Sequence, residues 1–137
     1  CFNRPYDNQD QIRIQLEAEA KLVIQSRIIE KEIELVWSYI VDYENQLNPF
    51  EERRNAINKW QEHAILNITE TKEIILTAEH LVTKNVKSKD ALHIACAIAG
   101  QCNYFLTTDD KILKKVTDLE KIKVINPLTF ISIFEKS

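Results

Sequence analysis

The chain has 137 residues, 45% of them hydrophobic, and a formal net charge of −3; that length suits one domain over residues 1–137, because a domain commonly takes about 100–200 residues and buries a real core. No unbroken apolar run approaches the roughly 18 residues of a membrane helix, and the start lacks a basic-then-apolar leader, so a soluble, cytoplasmic protein with no membrane partner is expected. Gly100 is the only glycine, which excludes Gly-rich phosphate loops, and Cys1, Cys96 and Cys102 lack C-x-x-C spacing and read as free thiols.

From Gln11 to about Lys31, Ile12, Leu16, Ala20, Val23 and Ile24 recur at helical spacing and predict a long first helix. "IELVWS" (Ile33 to Ser38) reads as a strand, with Ser38 capping the helix "SYIVDYENQL" that follows. Pro49 opens a third helix, whose face of Phe50, Ile57, Trp60 and Ala64 ends near Ala64. "ILNI" (Ile65 to Ile68) is the next strand, and Thr69 caps a helix running to about Asn85. "SKDALHIACAIAG" predicts an apolar helix capped by Ser88 and stopped by Gly100. "YFLT" and "KVIN" read as strands on either side of a short Asp110–Val116 helix, and Pro127 opens the last one. Strands alternating with helices argue for a parallel sheet covered on both faces.

Charge is uneven along the chain. Residues 1–83 carry the acidic excess, whereas residues 84–137 are net basic with lysine as the only base. Lys87, Lys89, Lys111, Lys114 and Lys115 flank "TTDD", so a local field attractive to phosphate is compatible with the sequence, although runs of this kind are commonly just solvated surface.

Open parallel sheets bind ligands beyond the carboxyl ends of their strands. Asp109 follows such a strand, Asp90 lies in the first turn of the apolar helix, and Glu44 lies in the helix after "LVW". Brought to one crevice, these carboxylates would repel one another unless a cation neutralised them. A hard divalent ion, Mg²⁺ or Mn²⁺, takes oxygen ligands and can activate a bound water against a phosphodiester. Each acid also has a plain structural account: the helix macrodipole for Asp90, a cap for Asp109 or Asp110, and a solvated helix face for Glu44. His93 shares a helix face with Asp90, but its apolar surroundings favour a core histidine; His63 and His80 read as structural, and Trp37 and Trp60 as core.

Taken together, the motifs resemble the PIN domain family, in particular its small VapC-like single-domain ribonucleases, over essentially the whole chain. "CFNRPYD" resembles the tail of that family's first motif, the S-x5-E spacing from Ser38 to Glu44 its second acidic position, "KDALHIACAIA" its third and "YFLTTDDKIL" its fourth. The resemblance implies a three-layer α/β/α fold around a central parallel sheet and Mg²⁺- or Mn²⁺-dependent endoribonuclease activity. It also implies an RNA substrate, homodimers and, in many members, a toxin held inactive by an antitoxin protein. Asp90 and Asp109 would be metal-organising acids, Glu44 a further ligand or outer acid, Asp110 an auxiliary acid, and Thr107 a hydroxyl near the scissile phosphate. The family's first strand and its aspartate would fall before Cys1. The sequence has no methionine, so about ten further residues carrying that strand are expected. The alternative is an inactive PIN-like fold that serves as a protein- or RNA-binding module.

Overall fold

The structure, a computed structural model, describes residues 5–136, with side chains described for 11–135. Helices and short strands alternate as α1 (Pro5–Ile29), β1 (Leu35–Ser38), α2 (Tyr39–Gln46), α3 (Glu51–Trp60), β2 (Ala64–Ile68) and α4 (Lys72–Val82). They continue as α5 (Ser88–Ala99), β3 (Tyr104–Leu106), α6 (Asp110–Lys115), β4 (Lys123–Ile125) and α7 (Pro127–Lys136). The mixed α/β order and the parallel strands agree with the sequence reading. No helix of the described residues is long and apolar enough to cross a membrane.

Local physics moves several boundaries and caps. Helix α3 stops at Trp60, and a single 3-10 turn, Gln61–His63, leads into β2. The cap of α4 is Thr71 rather than Thr69, its hydroxyl accepting the Ile74 N–H at 3.2 Å. Helix α5 is preceded by Lys87, which makes no side-chain capping bond; Ser88 is already helical. Ser38 does sit at the N-cap of α2 but does not cap it through its side chain. Gly100 ends α5 with an ordinary φ of −79°, and the left-handed residue is Gln101 at φ 58°. Space favours glycine at position 100 for a different reason: a Cβ there would lie 3.0 Å from Val36 Cγ1, which would have to give way.

The core forms around α5. Ala91, Ile94, Ala95 and Cys96 are essentially fully buried, and α5 packs on Ile74, Ala78 and Leu81 of α4. Each fully buried large aliphatic side chain contributes about 1.5–3 kcal/mol, so Ile74 and Leu81 of α4 with Ile94 of α5 make this helix pair the centre of the core. Helix α1 keeps part of its predicted face: Ala20 and Ile24 are buried, joined by Glu17, whereas Ile12, Leu16 and Val23 are exposed.

The strands form two separate parallel pairs, β1 with β2 and β3 with β4. Among the described residues β1 and β3 therefore each keep one edge unpaired. Helix α5 packs against both. Between the two pairs lies a cavity of about 520 Å³, edged by Val36 and Ser38 on one side and Phe105 and Leu106 on the other. Its floor is Cys96, Ala97 and Gly100 of α5, and Ile24, Ile28 and Phe130 of α1 and α7 line it as well.

Candidate functional site

The direction of α5 fixes where the acids lie. Its last turn meets Val36 near the start of β1, its middle meets β1's end through Cys96 and Ser38, and His93, a turn earlier, reaches Glu44 in α2. Helix α5 thus runs antiparallel to β1, and its N-terminal turn, with Asp90, lies beyond the strand's carboxyl end. Strand β3 starts just after α5 and climbs beside it, with the Phe105 and His93 rings 6.3 Å apart. Asp109, after β3, and Glu44, after β1, therefore lie at the same end as Asp90, where ligands of parallel sheets bind.

Each carboxylate has its own surroundings. Asp90 is half-buried and makes no hydrogen bond or ion pair among the described residues. Asp109 is exposed; its Oδ1 accepts the Lys111 N–H at 2.9 Å, and its own N–H donates to Thr107 Oγ1 at 3.1 Å. The TTDD segment is thus a turn closed by its own side chains that launches α6. Glu44, 39% exposed, pairs with His93 Nε2. A carboxylate has no proton to offer, so the imidazole nitrogen carries the one they share. His93 is half-buried and is partnered by Glu44, not by Asp90 on its own helix.

Asp110 is committed elsewhere. Arg13 of α1 donates to both its oxygens, at 2.7 and 2.6 Å, and holds its carboxyl below the usual range. Arg13 Nε also donates to the buried Glu17 at 3.2 Å, and Glu17 takes a further bond from Asn126, directly after β4. This cluster ties α1 to the carboxyl ends of β3 and β4. The partners stand about a hundred positions apart in the chain, and the one local signal was an acid, Glu17, in register with Ala20 and Ile24.

Burial pushes the Cys96 thiol up, with a smaller opposing pull from the Ser38 hydroxyl, and burial pushes Cys102 up as well. Both are free, as expected; Cys1 lies outside the described residues. Trp37 is core, its Nε1 donating to Asp42 at 2.9 Å, whereas Trp60 is half-buried and tilted against an exposed His63. His80 is exposed. A shallow cleft of about 550 Å³ opens beside Tyr104 and Lys123, at the opposite ends of β3 and β4 from the acids.

As donors, Asp90, Asp109, Glu44 and Asp110 offer only hard oxygens, the kind that Mg²⁺ and Mn²⁺ take. Among the described residues, no three His, Cys, Asp or Glu side chains gather closely enough to hold a metal ion. The set fits such an ion in kind and falls short in number, with Glu44, Asp109 and Asp110 each turned to a protein partner.

The family model for the PIN domain matches residues 2–119. No curated protein and no solved structure matches the chain. With that match over most of its length, and with strand ends, helix direction and acids arranged as described, the chain belongs to the PIN domain family, whose members are generally nucleases and generally use divalent metals.

Proposed function

We propose that the protein is a metal-dependent endoribonuclease that hydrolyses RNA phosphodiester bonds at the carboxyl end of its strands. The observation that supports this most is the antiparallel run of α5, which sets Asp90 at the same end as Asp109 and Glu44 although the three come from different elements. On this reading Mg²⁺ or Mn²⁺ supplies an activated water and balances the charge that builds on the phosphate. Asp90, which has no other partner among the described residues, and Asp109 would hold the ion. Glu44, oriented by His93, is an outer acid or a further ligand, Thr107 holds the TTDD turn near the scissile phosphate, and Asp110 is an auxiliary acid kept charged by Arg13.

The same proposal covers the sheet. The two strand pairs are halves of one central sheet in a three-layer α/β/α fold, and a strand carried ahead of Cys1 lies between β1 and β3. That strand brings a further aspartate to the acids, which accounts for the shortfall in ligands. A toxin role with an antitoxin partner, homodimerisation and a cytoplasmic location belong to this proposal too.

The test is cleavage of single-stranded RNA with added Mn²⁺, by protein that includes the expected strand. Asp90→Asn and Asp109→Asn should each lower the rate by more than the ~10–100-fold typical of losing a residue that only supports a metal ligand, with unchanged far-ultraviolet circular dichroism. Undiminished cleavage in either variant removes that residue from the site. The engagement of Glu44 and Asp109 with protein partners favours one other reading, an inactive PIN fold acting as a binding module. Calorimetric titration separates the two, because that module takes up no Mn²⁺.

A further inference from the structure

We infer that Arg13 and Glu17 are positioning residues: through Asp110 they hold the TTDD turn, and with it the Asp109 carboxylate, in place. That this carboxylate serves a metal rests on the nuclease reading; that the two side chains fix it does not.

The turn sits inside a closed circuit of bonds. On one flank the Thr107 N–H donates to the carbonyl of Ile125 at the end of β4, at 3.0 Å, and the Thr107 hydroxyl accepts the Asp109 N–H. On the other flank Asp110 accepts from both Nη atoms of Arg13, whose Nε donates to Glu17. Glu17 also accepts from Asn126, the residue after Ile125, which closes the circuit. Asn126 is itself fixed, because its Oδ1 accepts the Leu128 N–H in the first turn of α7 at 2.7 Å. Asp109 lies between the two flanks, so its main chain shifts only if one of them opens.

Stability does not account for this circuit. Glu17 is 7% exposed and shares the buried stripe of α1 with Ala20 and Ile24. An apolar side chain there would serve the fold at least as well, since the cost of burying an ion pair commonly matches what its partners return. The Arg13–Asp110 pair is exposed and contributes little. What the circuit supplies is geometry: a bidentate fork fixes direction as well as distance, and a functional carboxylate must be held to within about 0.5 Å. Arg13 already faces two carboxylates, so its charge is balanced within the protein and its part is to aim Asp110.

Arg27 provides the comparison. It lies on the same helix, about 20 Å further along, and it too bonds two acids, Glu32 at 2.7 Å and Glu135 at 3.4 Å. That cluster ties α1 to α7 and includes no residue of the candidate site.

Amide hydrogen exchange in the 137-residue chain, without metal or RNA, tests the circuit directly. Arg13→Gln should speed exchange at Thr107, Asp109 and Lys111, whose amides are bonded at the turn, by up to ~5-fold, the range open to an exposed ion pair. Arg13→Lys keeps the charge without the fork and should not restore protection. Arg27→Gln should leave the three amides as they are. Unchanged exchange in Arg13→Gln, full protection in Arg13→Lys, or an equal rise in Arg27→Gln overturns the assignment. In protein that includes the expected strand, Arg13→Gln should lower kcat for Mn²⁺-dependent RNA cleavage by ~10-fold, the low end for a residue that supports a ligand, with KM for RNA unchanged. A raised KM would make Arg13 a substrate contact and an unchanged kcat a bystander, and either result overturns the inference. The expected exchange pattern with no cleavage even by the unsubstituted protein would sink the nuclease reading alone.

Discussion

Arg13 and Asp110 form the best-aligned ion pair at the candidate site, with two parallel hydrogen bonds. Both side chains are substantially exposed, so the pair is screened and its contribution to stability is small. Its pH dependence has a definite sign. Arg13 lowers the folded-state pKa of Asp110, so the contribution is complete above the ordinary aspartate value of 3.8 and is lost as pH falls through the lowered one. Arg13→Gln should therefore lower the melting temperature near neutral pH, and the difference from the parent should vanish in strong acid. A difference that persists there would show that Arg13 acts through packing. Asp110 itself was legible in the sequence as an acid beside Asp109, but its partner was not, because nothing in a linear pattern joins α1 to the segment after β3. His93 is the converse case. Its apolar setting was visible, and the cross-element bond to Glu44 that explains it was not.

At the scale of elements, the turns work with an unusual shortage of glycine. Lys31, Asn85 and Gln101 all adopt positive φ, at 65°, 70° and 58°. Asparagine tolerates this region, whereas lysine and glutamine pay about 1–2 kcal/mol for it. Lys31→Gly and Gln101→Gly should each raise stability in urea titration, by up to ~1 kcal/mol once glycine's greater freedom in the unfolded chain is set against the relief. Thr71→Ala removes the hydroxyl that accepts the Ile74 N–H and should cost ~1 kcal/mol, while Thr69→Ala should be close to neutral. That contrast checks the one cap misplaced by two residues. Element type was readable throughout because hydrophobic periodicity is strong in α4, α5 and α7. Caps were less so, since Thr69, Thr71, Lys87 and Ser88 compete for nearby positions and tertiary contacts decide among them. The face of α1 was read only in part, at Ala20 and Ile24, for a similar reason: periodicity counts apolar residues, and here Glu17 is buried by partners supplied from Arg13 and Asn126.

For the whole molecule, the divided sheet is the main departure from a simple parallel α/β arrangement. Parallel strands and covering helices followed from the sequence, but a gap between β1 and β3 has no linear signature. It has a thermodynamic consequence. The cavity is lined by apolar side chains of α1, α5 and α7, with polar ones such as Glu32, Glu34, Ser38 and His93 among them, so an inserted strand would be covered on both faces and should be mainly apolar. A synthetic peptide of about five valine, isoleucine or leucine residues, the usual strand length, should raise the melting temperature of the 137-residue chain in a dose-dependent way. The same peptide with a central proline should not, because proline lacks the N–H that an inner strand needs. No shift with either peptide would mean that the cavity does not accept a strand. Ala97→Phe, which places a ring in the cavity floor, should abolish the effect of the first peptide.

The unpaired edges also bear on how the molecule behaves in a crowd. Natural sheets guard exposed edges with lysine, proline or a bulge. Leu35–Ser38 and Tyr104–Leu106 contain neither a charge nor a proline, and only β1 has an irregularity, a shift of register between Leu35 and Val36. Until something fills the space between them, these edges can template pairing with any extended apolar segment from a neighbouring chain. Any segment that filled this space would then serve as a gatekeeper, and fibrous association is the failure expected while it stands open.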